Sequence, residues 1–265
     1  MKAAPLPVLQ ARGLALRYLG AESAVFDAVD LDLARGEVVA VLGASGAGKS
    51  SLLRVLAGLQ PATTGTLLME GVPLTGVHPR VAVAFQDPSL LPWLSLERNV
   101  AFGLDFKHQP ALTDAQRRAR VAQAIDEVGL AHARHLRPAQ LSGGMAQRAA
   151  LARCLARQPS VLLLDEPFGA LDEVTRGDMQ ELLRKLVADF QTAAVLITHD
   201  IDEALMLADR IVLLGGAPGR ILGVWQVDLP QPRADLLPEM GALRLEIVTR
   251  LRAALRNARG AAVLA

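Results

Sequence analysis

Residues 43–50, GASGAGKS, form a glycine-rich stretch of the kind that binds phosphate groups. They fit the pattern G-x-x-x-x-G-K-[ST], with the uncharged run VVAVL before them and a helical pattern after them. Successive backbone N–H groups can then face one anion at the start of a helix. Lys49 would reach the β- and γ-phosphates of a nucleotide, and Ser50 would offer its hydroxyl to Mg²⁺. The predicted nucleotide-binding residues here are Gly43, Ala44, Ser45, Gly46, Ala47, Gly48, Lys49, Ser50 and Ser51.

Two adjacent carboxylates, Asp165 and Glu166, follow a second apolar run, VLLL. Ligands of open α/β sheets bind at the carboxyl ends of the strands, so Asp165 is placed to hold Mg²⁺, directly or through water. Because neighbouring side chains on a strand diverge, Glu166 would face the water that attacks the γ-phosphate and act as its general base. An isolated Asp-Glu pair would otherwise be read as a solvated turn.

Two more polar residues stand where strands are predicted to end. Gln86 follows VAVAF and could orient a water or touch the metal. His199 follows AAVLIT and could donate a hydrogen bond to the γ-phosphate, sensing whether it is present. Taken singly, each residue type at such a place is more often without a catalytic role. Their spacing with the other motifs favours the functional interpretation.

A second helix start suited to an anion lies in residues 141–148, LSGGMAQR. Ser142 offers a hydroxyl, and Gly143 and Gly144 leave backbone amides open at the start of a helical pattern. The chain therefore has two helix starts suited to binding phosphate, almost a hundred residues apart.

The elements that position these residues alternate between strands and helices. Strands are predicted over 13–18, 24–33, 37–42, 161–165, 193–198 and 211–214, and helices over 49–57, 173–190, 201–208 and 242–258. The stretch 87–155 reads as mostly helical, with a capping box at Thr113 and Gln116. Such alternation predicts an α/β fold with a parallel sheet. In the last helix Leu243, Ile247, Leu251 and Leu255 are predicted to share the docked side.

Composition excludes several classes of protein. The net charge of +1 gives no electrostatic footprint for nucleic acid, so no nucleic-acid partner is expected. The single Cys154 precludes an internal disulfide and fits a reducing compartment. No apolar run approaches the ~20 residues of a membrane helix, and the amino terminus makes a poor signal peptide. A cytosolic protein is predicted, with part of its apolar surface covered by a partner.

The order of these motifs resembles that of the nucleotide-binding subunits of ABC transporters. GASGAGKS, AFQDP, LSGGM, VLLLDEP, the segment Gly169-Ala170-Leu171-Asp172 and ITHD all occur, and the resemblance runs from Leu9 to about Arg233. It implies a P-loop NTPase fold of ABC ATPase type over residues 1–235. In that fold an antiparallel β subdomain and a helical subdomain, residues 87–155, accompany the parallel-sheet core, and residues 236–265 form a helical extension.

The resemblance also implies roles for residues. Tyr18 stands where this family carries an aromatic that stacks on adenine; the alternative is a buried strand tyrosine. Ser142, Gly143, Gly144 and Asp172 would bind nucleotide. Met145 departs from the family's commonest residue, glutamine, and a methionine side chain cannot donate a hydrogen bond.

The partners and cofactors follow from the same resemblance. It implies an ATPase that uses ATP and Mg²⁺, works as a homodimer with two composite sites, and lies peripherally at the cytoplasmic face of the inner membrane. Membrane permease subunits and a separate solute-binding protein would be its partners. The stretches LLPWLSLERNVAFGL and DLPQPR are similar to importer ATPases for nitrate, sulfonate or taurine, a group with relatives for thiamine precursors.

Some alternatives stay open. A soluble ABC-type ATPase of DNA repair or chromosome maintenance usually carries long coiled coils, and a P-loop kinase has no use for LSGG. Leu90, Leu91, Trp93 and Leu94 would either fill the helical core or line a groove for a helix of the membrane subunit. His132 and His135 lack the companions of a metal site, and Cys154 is predicted to be a small core residue.

Overall fold

The protein is described by a computed structural model that covers residues 7–169, 171–233 and 239–263. Ala170, residues 236–238 and residues 264–265, which belong to predicted segments, lie outside these ranges. The strands are β1 (Leu9–Leu16), β2 (Phe26–Leu33), β3 (Val38–Leu42), β4 (Thr64–Met69), β5 (Val72–Pro73), β6 (Val81–Ala84), β7 (Val161–Asp165), β8 (Ala193–Thr198), β9 (Arg210–Gly215) and β10 (Arg220–Gln226). The α-helices are α1 (Lys49–Leu56), α2 (Leu96–Ala101), α3 (Asp114–Glu127), α4 (Gly143–Leu155), α5 (Glu173–Phe190), α6 (Ile201–Leu207) and α7 (Gly241–Val263).

The chain forms two compact units, and the first comprises residues 1–77 and 193–265. Its antiparallel sheet has the strand order β2-β1-β4-β5. Leu9 opens strand β1 by pairing with Leu33 on one side and Met69 on the other. The predicted strand over 13–18 was therefore wrong at both ends. Gly13 has a φ of +54° where both ladders change register, so the predicted first residue is the one that interrupts the strand.

A second sheet in this unit carries strand β3 at its centre, paired in parallel with β8 and with β9. All five residues of β3 are buried, as their uncharged β-branched sequence predicts for a strand covered on both faces. Strand β10 adds an antiparallel edge to β9 and was not predicted. The parallel pairing confirms the predicted α/β fold.

Helix α7 packs on α6, β9 and β10 in the same unit. Ile247 is fully buried and Leu243 and Leu251 are half-buried, in agreement with the predicted face. Leu255 is exposed, so its assignment to that face was wrong. A repeat of four residues drifts around a helix of 3.6 residues per turn, and half-buried Ala254 takes the next inward position.

The second unit comprises residues 78–192. Strands β6 and β7 pair in parallel, and helices α2 to α5 accompany them. The capping box is present, since the Thr113 amide donates to Gln116 Oε1 at 2.9 Å and the Gln116 amide donates to Thr113 Oγ1 at 3.2 Å. This unit is wider than the predicted helical subdomain because it also contains the strand pair.

Candidate functional site

The phosphate loop is packed tightly against the backbone of the first unit. A Cβ atom at Gly43 would overlap the carbonyl oxygen of Leu214, and one at Gly219 would overlap the carbonyl oxygen of Ala47. The loop thus keeps its curve because two glycines allow backbone to approach backbone. Sequence analysis did not assign Gly219 to the site, although the turn signal Pro218-Gly219 marks it.

Lys49 closes the curve of this loop. Its side chain is buried, and Nζ donates to the carbonyl oxygens of Gly43 at 2.8 Å and Ala44 at 3.0 Å. Helix α1 starts at Lys49 after Gly48, whose φ is +91°, and no side chain caps the helix start. An ammonium group and an uncapped helix start on one loop are the donors that a phosphate chain requires. These residues therefore fit the phosphate chain of a nucleoside triphosphate.

The residues also fit Mg²⁺. Within the described ranges no group of three or more His, Cys, Asp or Glu side chains could hold a metal by themselves. Mg²⁺ keeps several waters and takes one or two carboxylates together with phosphate oxygens. Ser50 of the first unit is exposed and Asp165 of the second unit is half-buried, and each carries an oxygen of the kind that such an ion takes as a ligand.

His199 leaves the first unit's parallel sheet at the same edge as the phosphate loop. Leu42 of β3 pairs with Thr198 of β8, so Gly43 and His199 each follow the last residue of a paired strand. The Thr198 hydroxyl accepts from the Asp200 amide at 3.0 Å, and the Asp200 carboxylate caps α6. His199 itself is exposed. The turn that carries this exposed side chain is therefore fixed by the hydrogen bonds of its neighbours.

Tyr18 lies beside the start of helix α1. Its hydroxyl oxygen is 3.4 Å from Ser51 Oγ, and this hydrogen bond lowers the pKa of the tyrosine. The residue follows β1 and is 44% exposed, which excludes the buried strand tyrosine considered above. An accessible aromatic side chain is thus present next to the phosphate loop.

In the second unit the structure brings Gln86, Asp165 and Glu166 to one edge of the strand pair. Ala84 of β6 pairs with Leu164 of β7. Strand β6 ends at Ala84 and strand β7 ends at Asp165, so both chains leave the pair at this edge. Glu166 has a φ of +46°, which is uncommon for a residue other than glycine and concentrates at functional sites. Gln86 is exposed, and its Nε2 lies 3.8 Å from the Cβ position of Gly169.

The start of helix α4 is built as the LSGG sequence predicts. Ser142 is the N-cap, and its Oγ accepts from the backbone amide of Met145 at 3.3 Å. Ser142 and Gly143 are exposed, and the hydroxyl hydrogen of Ser142 is still available to an anion. The cap uses the main chain of Met145, so the unusual side chain leaves it intact. Asp172 is likewise the N-cap of α5.

The segment before helix α2 is shaped by one buried amide. Asn99 is fully buried, donates to the carbonyl oxygens of Leu91, Leu94 and Ser95, and accepts from the amide of Leu91. Trp93 is 67% exposed, whereas Leu90, Leu91 and Leu94 are half-buried. Core filling therefore explains the leucines in part and does not explain the tryptophan.

The remaining candidates are structural or solvated. Cys154 is buried and donates to the carbonyl oxygen of Val83, and burial raises the pKa of its thiol to about 11. This confirms the predicted core role. His132 and His135 are exposed. Among the described helices, none has the length and apolar character that crossing a membrane requires.

Comparison with known proteins points to one family. The ABC transporter family matches residues 26–169, which is more than half of the chain. The aliphatic sulfonates import ATP-binding protein SsuB 1 of Xanthomonas axonopodis pv. citri is 48% identical over 82% of this chain and 84% of its own length. The nitrate transport protein NasD of Klebsiella oxytoca is 40% identical over 86% of this chain and 88% of its own length.

A longer relative matches over part of its length. The bicarbonate transport ATP-binding protein CmpC of Synechocystis sp. is 45% identical over 86% of this chain, which spans 35% of that protein. Among solved structures, the dimeric ATP-binding cassette MJ0796 bound to ADP and Pi has a TM-score of 0.72 at 29% identity, over 84% of this chain and 100% of its own. CbiO1 of Clostridium perfringens has a TM-score of 0.75 at 26% identity, over 89% of this chain and 98% of its own. The chain belongs to the ABC transporter family and carries its ATP-hydrolysing cassette.

Proposed function

We propose that this chain is the energising subunit of an importer for a small anionic solute. The observation that carries the proposal is the presence of two helix starts suited to phosphate, one holding Lys49 and one capped by Ser142. The relatives named for sulfonate, nitrate and bicarbonate transport favour a small oxyanion as the solute. A taurine-like sulfonate fits that class better than a thiamine precursor does.

Each site residue receives a role in this proposal. Lys49 neutralises the β- and γ-phosphates of ATP, and Ser50 and Asp165 are ligands of Mg²⁺, with Gln86 at the metal or the attacking water. Mg²⁺ supplies charge neutralisation at the phosphates when it is bound. Glu166 accepts the proton of the attacking water, and His199 donates a hydrogen bond to the γ-phosphate. Tyr18 stacks on the adenine.

The second helix start acts on the nucleotide of a second subunit. Ser142, Gly143 and Gly144 meet the γ-phosphate held by the partner's phosphate loop, and Asp172 joins them. ATP then favours a closed head-to-tail dimer, and loss of the γ-phosphate favours the open one. A ligand shifts such an equilibrium only through its differential affinity for the two states. The dimeric state of the solved cassette with ADP and Pi supports this part of the proposal.

The dimer works with partner proteins at the cytoplasmic face of the inner membrane. Membrane permease subunits contact the segment around Trp93, and a separate solute-binding protein selects the solute. The exposed indole of Trp93 supports a docking role for this segment. Solute choice therefore lies outside this chain.

The Glu166→Gln variant tests the proposal. We expect turnover to be abolished and ATP binding retained, which gives a stable ATP-dependent dimer by size-exclusion chromatography. Glu181→Gln, an exposed residue of α5, is the matched control and should hydrolyse ATP normally. Near-normal hydrolysis by Glu166→Gln would refute the general-base role. Salt-sensitive DNA binding would favour the DNA-repair alternative, and a phosphorylated acceptor would indicate a kinase.

A further inference from the structure

A methyl group of helix α5 lies against the first turn of helix α4. A Cβ atom built at Gly144 lies 2.6 Å from Cγ2 of Thr175 and 3.9 Å from its Cβ. Real Cβ contacts are longer than the first of these distances, so no side chain fits at position 144 unless Thr175 moves. A Cβ at the neighbouring Gly143 meets no atom within 4 Å. Space therefore restricts the residue at position 144 and does not restrict the residue at position 143.

Thr175 is held in place by the residue that caps its own helix. Its hydroxyl donates to Asp172 Oδ2 at 2.7 Å, and its backbone amide donates to Asp172 Oδ1 at 3.0 Å. These two bonds hold the pKa of the Asp172 carboxyl below its ordinary value. They also fix the rotamer that directs Cγ2 at Gly144, because the hydroxyl and the methyl share one Cβ. Thr175 cannot turn its methyl away without losing the hydroxyl's bond to Asp172.

We infer that Thr175 is a positioning residue that sets the spacing between the LSGG helix start and the capped start of α5. The inference rests on the proposed function, in which both segments face the nucleotide of a second subunit. Thr175 touches neither nucleotide nor water in that scheme. It keeps Gly144 and Asp172 at a fixed separation, so that the two segments approach the partner's γ-phosphate as one rigid piece.

The experiment moves one methyl group across this contact. Gly144→Ala adds a methyl, Thr175→Ser removes Cγ2 and keeps the capping hydroxyl, and the double variant does both. Each change is made in the native chain, for kcat and KM, and in the Glu166→Gln background, for ATP-dependent dimerisation. Gly143→Ala adds a methyl to the same helical turn and should melt at the native temperature.

Non-additivity is the expected result, since residues in contact do not act independently. Gly144→Ala should lose about tenfold in kcat and in dimer formation, as overpacking at a fixed contact predicts. Its KM for ATP should stay near native, since the phosphate loop is untouched. Thr175→Ser alone should also lose kcat and dimer formation, by less than that tenfold, because the methyl that sets the spacing is gone. The double variant, which replaces that methyl from the other side of the contact, should be less impaired than Gly144→Ala.

Four outcomes would overturn the inference. It is overturned if the double variant is as impaired as Gly144→Ala, or if Gly144→Ala closes and hydrolyses ATP like the native chain. If Gly144→Ala lowers both the melting temperature and kcat, and the double variant restores neither, the defect lies in folding and the inference is also overturned. If the Glu166→Gln parent itself forms no dimer with ATP, the proposed function fails, and the inference fails with it.

Discussion

Leu42 and Thr198 are paired in parallel at the carboxyl ends of β3 and β8, so the phosphate loop and His199 begin at the same edge. Lys49 stabilises the curved conformation of the loop, because its Nζ donates hydrogen bonds to two loop carbonyl oxygens. His199 is exposed. One side of this edge is thus preorganised for phosphate, and the other presents an accessible imidazole.

The His199→Ala change should therefore affect chemistry and leave the fold intact. We expect kcat to fall by about a hundredfold, the usual effect of removing one donor to developing charge. ATP binding, measured by calorimetry, and the melting temperature should stay near native. A variant that hydrolyses ATP at the native rate would contradict the role given to His199.

Tyr18 offers a test of adenine stacking that separates ring from hydroxyl. Tyr18→Ala should weaken ATP binding by about tenfold, in line with the loss of one base–aromatic stack. Tyr18→Phe keeps the ring and loses the hydroxyl, with its contact to Ser51, so its affinity for ATP should stay near native. Calorimetric titration with ATP measures both. Equal losses in the two variants would assign the effect to the hydroxyl.

The exposed segment around Trp93 gives a prediction about partners. Trp93→Ala and Leu94→Ala should reduce co-purification with the proposed membrane subunit and uncouple ATP hydrolysis from transport. ATPase activity of the isolated chain should be unchanged. Phe190→Ala removes an exposed aromatic from α5 and is the control. Normal assembly and transport by the Trp93 and Leu94 variants would exclude this segment as the docking surface.

Met145→Gln tests whether the unusual residue of LSGGM matters. The cap at Ser142 uses the main-chain amide of Met145, so a new side chain leaves it in place. We expect the ATPase rate and ATP-dependent dimer formation to change by less than about threefold, as for most half-exposed substitutions. A larger change in either direction would show that the side chain itself contacts the nucleotide or the partner.

The two helix starts of the candidate site were predictable because each motif is local in sequence. Gly43 to Ser50 and Ser142 to Gly144 carry their own strand or helix context, and the structure has a helix start at both places. The contacts that hold them were not predictable. Gly43 depends on a carbonyl at position 214, and Gly144 depends on a methyl at position 175. Such partners are fixed by tertiary packing, which no local pattern reports.

Strand assignments failed for a related reason. Among the described strands, β10 pairs with β9 alone. Its residues are a mixture of exposed and half-buried ones, and its sequence RILGVWQ lacks the alternation of apolar and polar residues that marks a half-buried strand. Strand β1 was placed too late because its first residue is defined by pairing with Leu33 and Met69. Neither signal is visible without the neighbouring strands.

Asn99 fixes the backbone path of the segment before α2 without using the segment's surface side chains. The side-chain amide of Asn99 bonds to main-chain atoms of Leu91, Leu94 and Ser95, so these bonds do not depend on which side chains those positions carry. Substitutions at Trp93 or Leu94 can therefore alter what the segment recognises without altering its course. If the segment contacts the membrane subunit as proposed, point mutations on its surface would change the choice of membrane partner and leave the nucleotide chemistry the same.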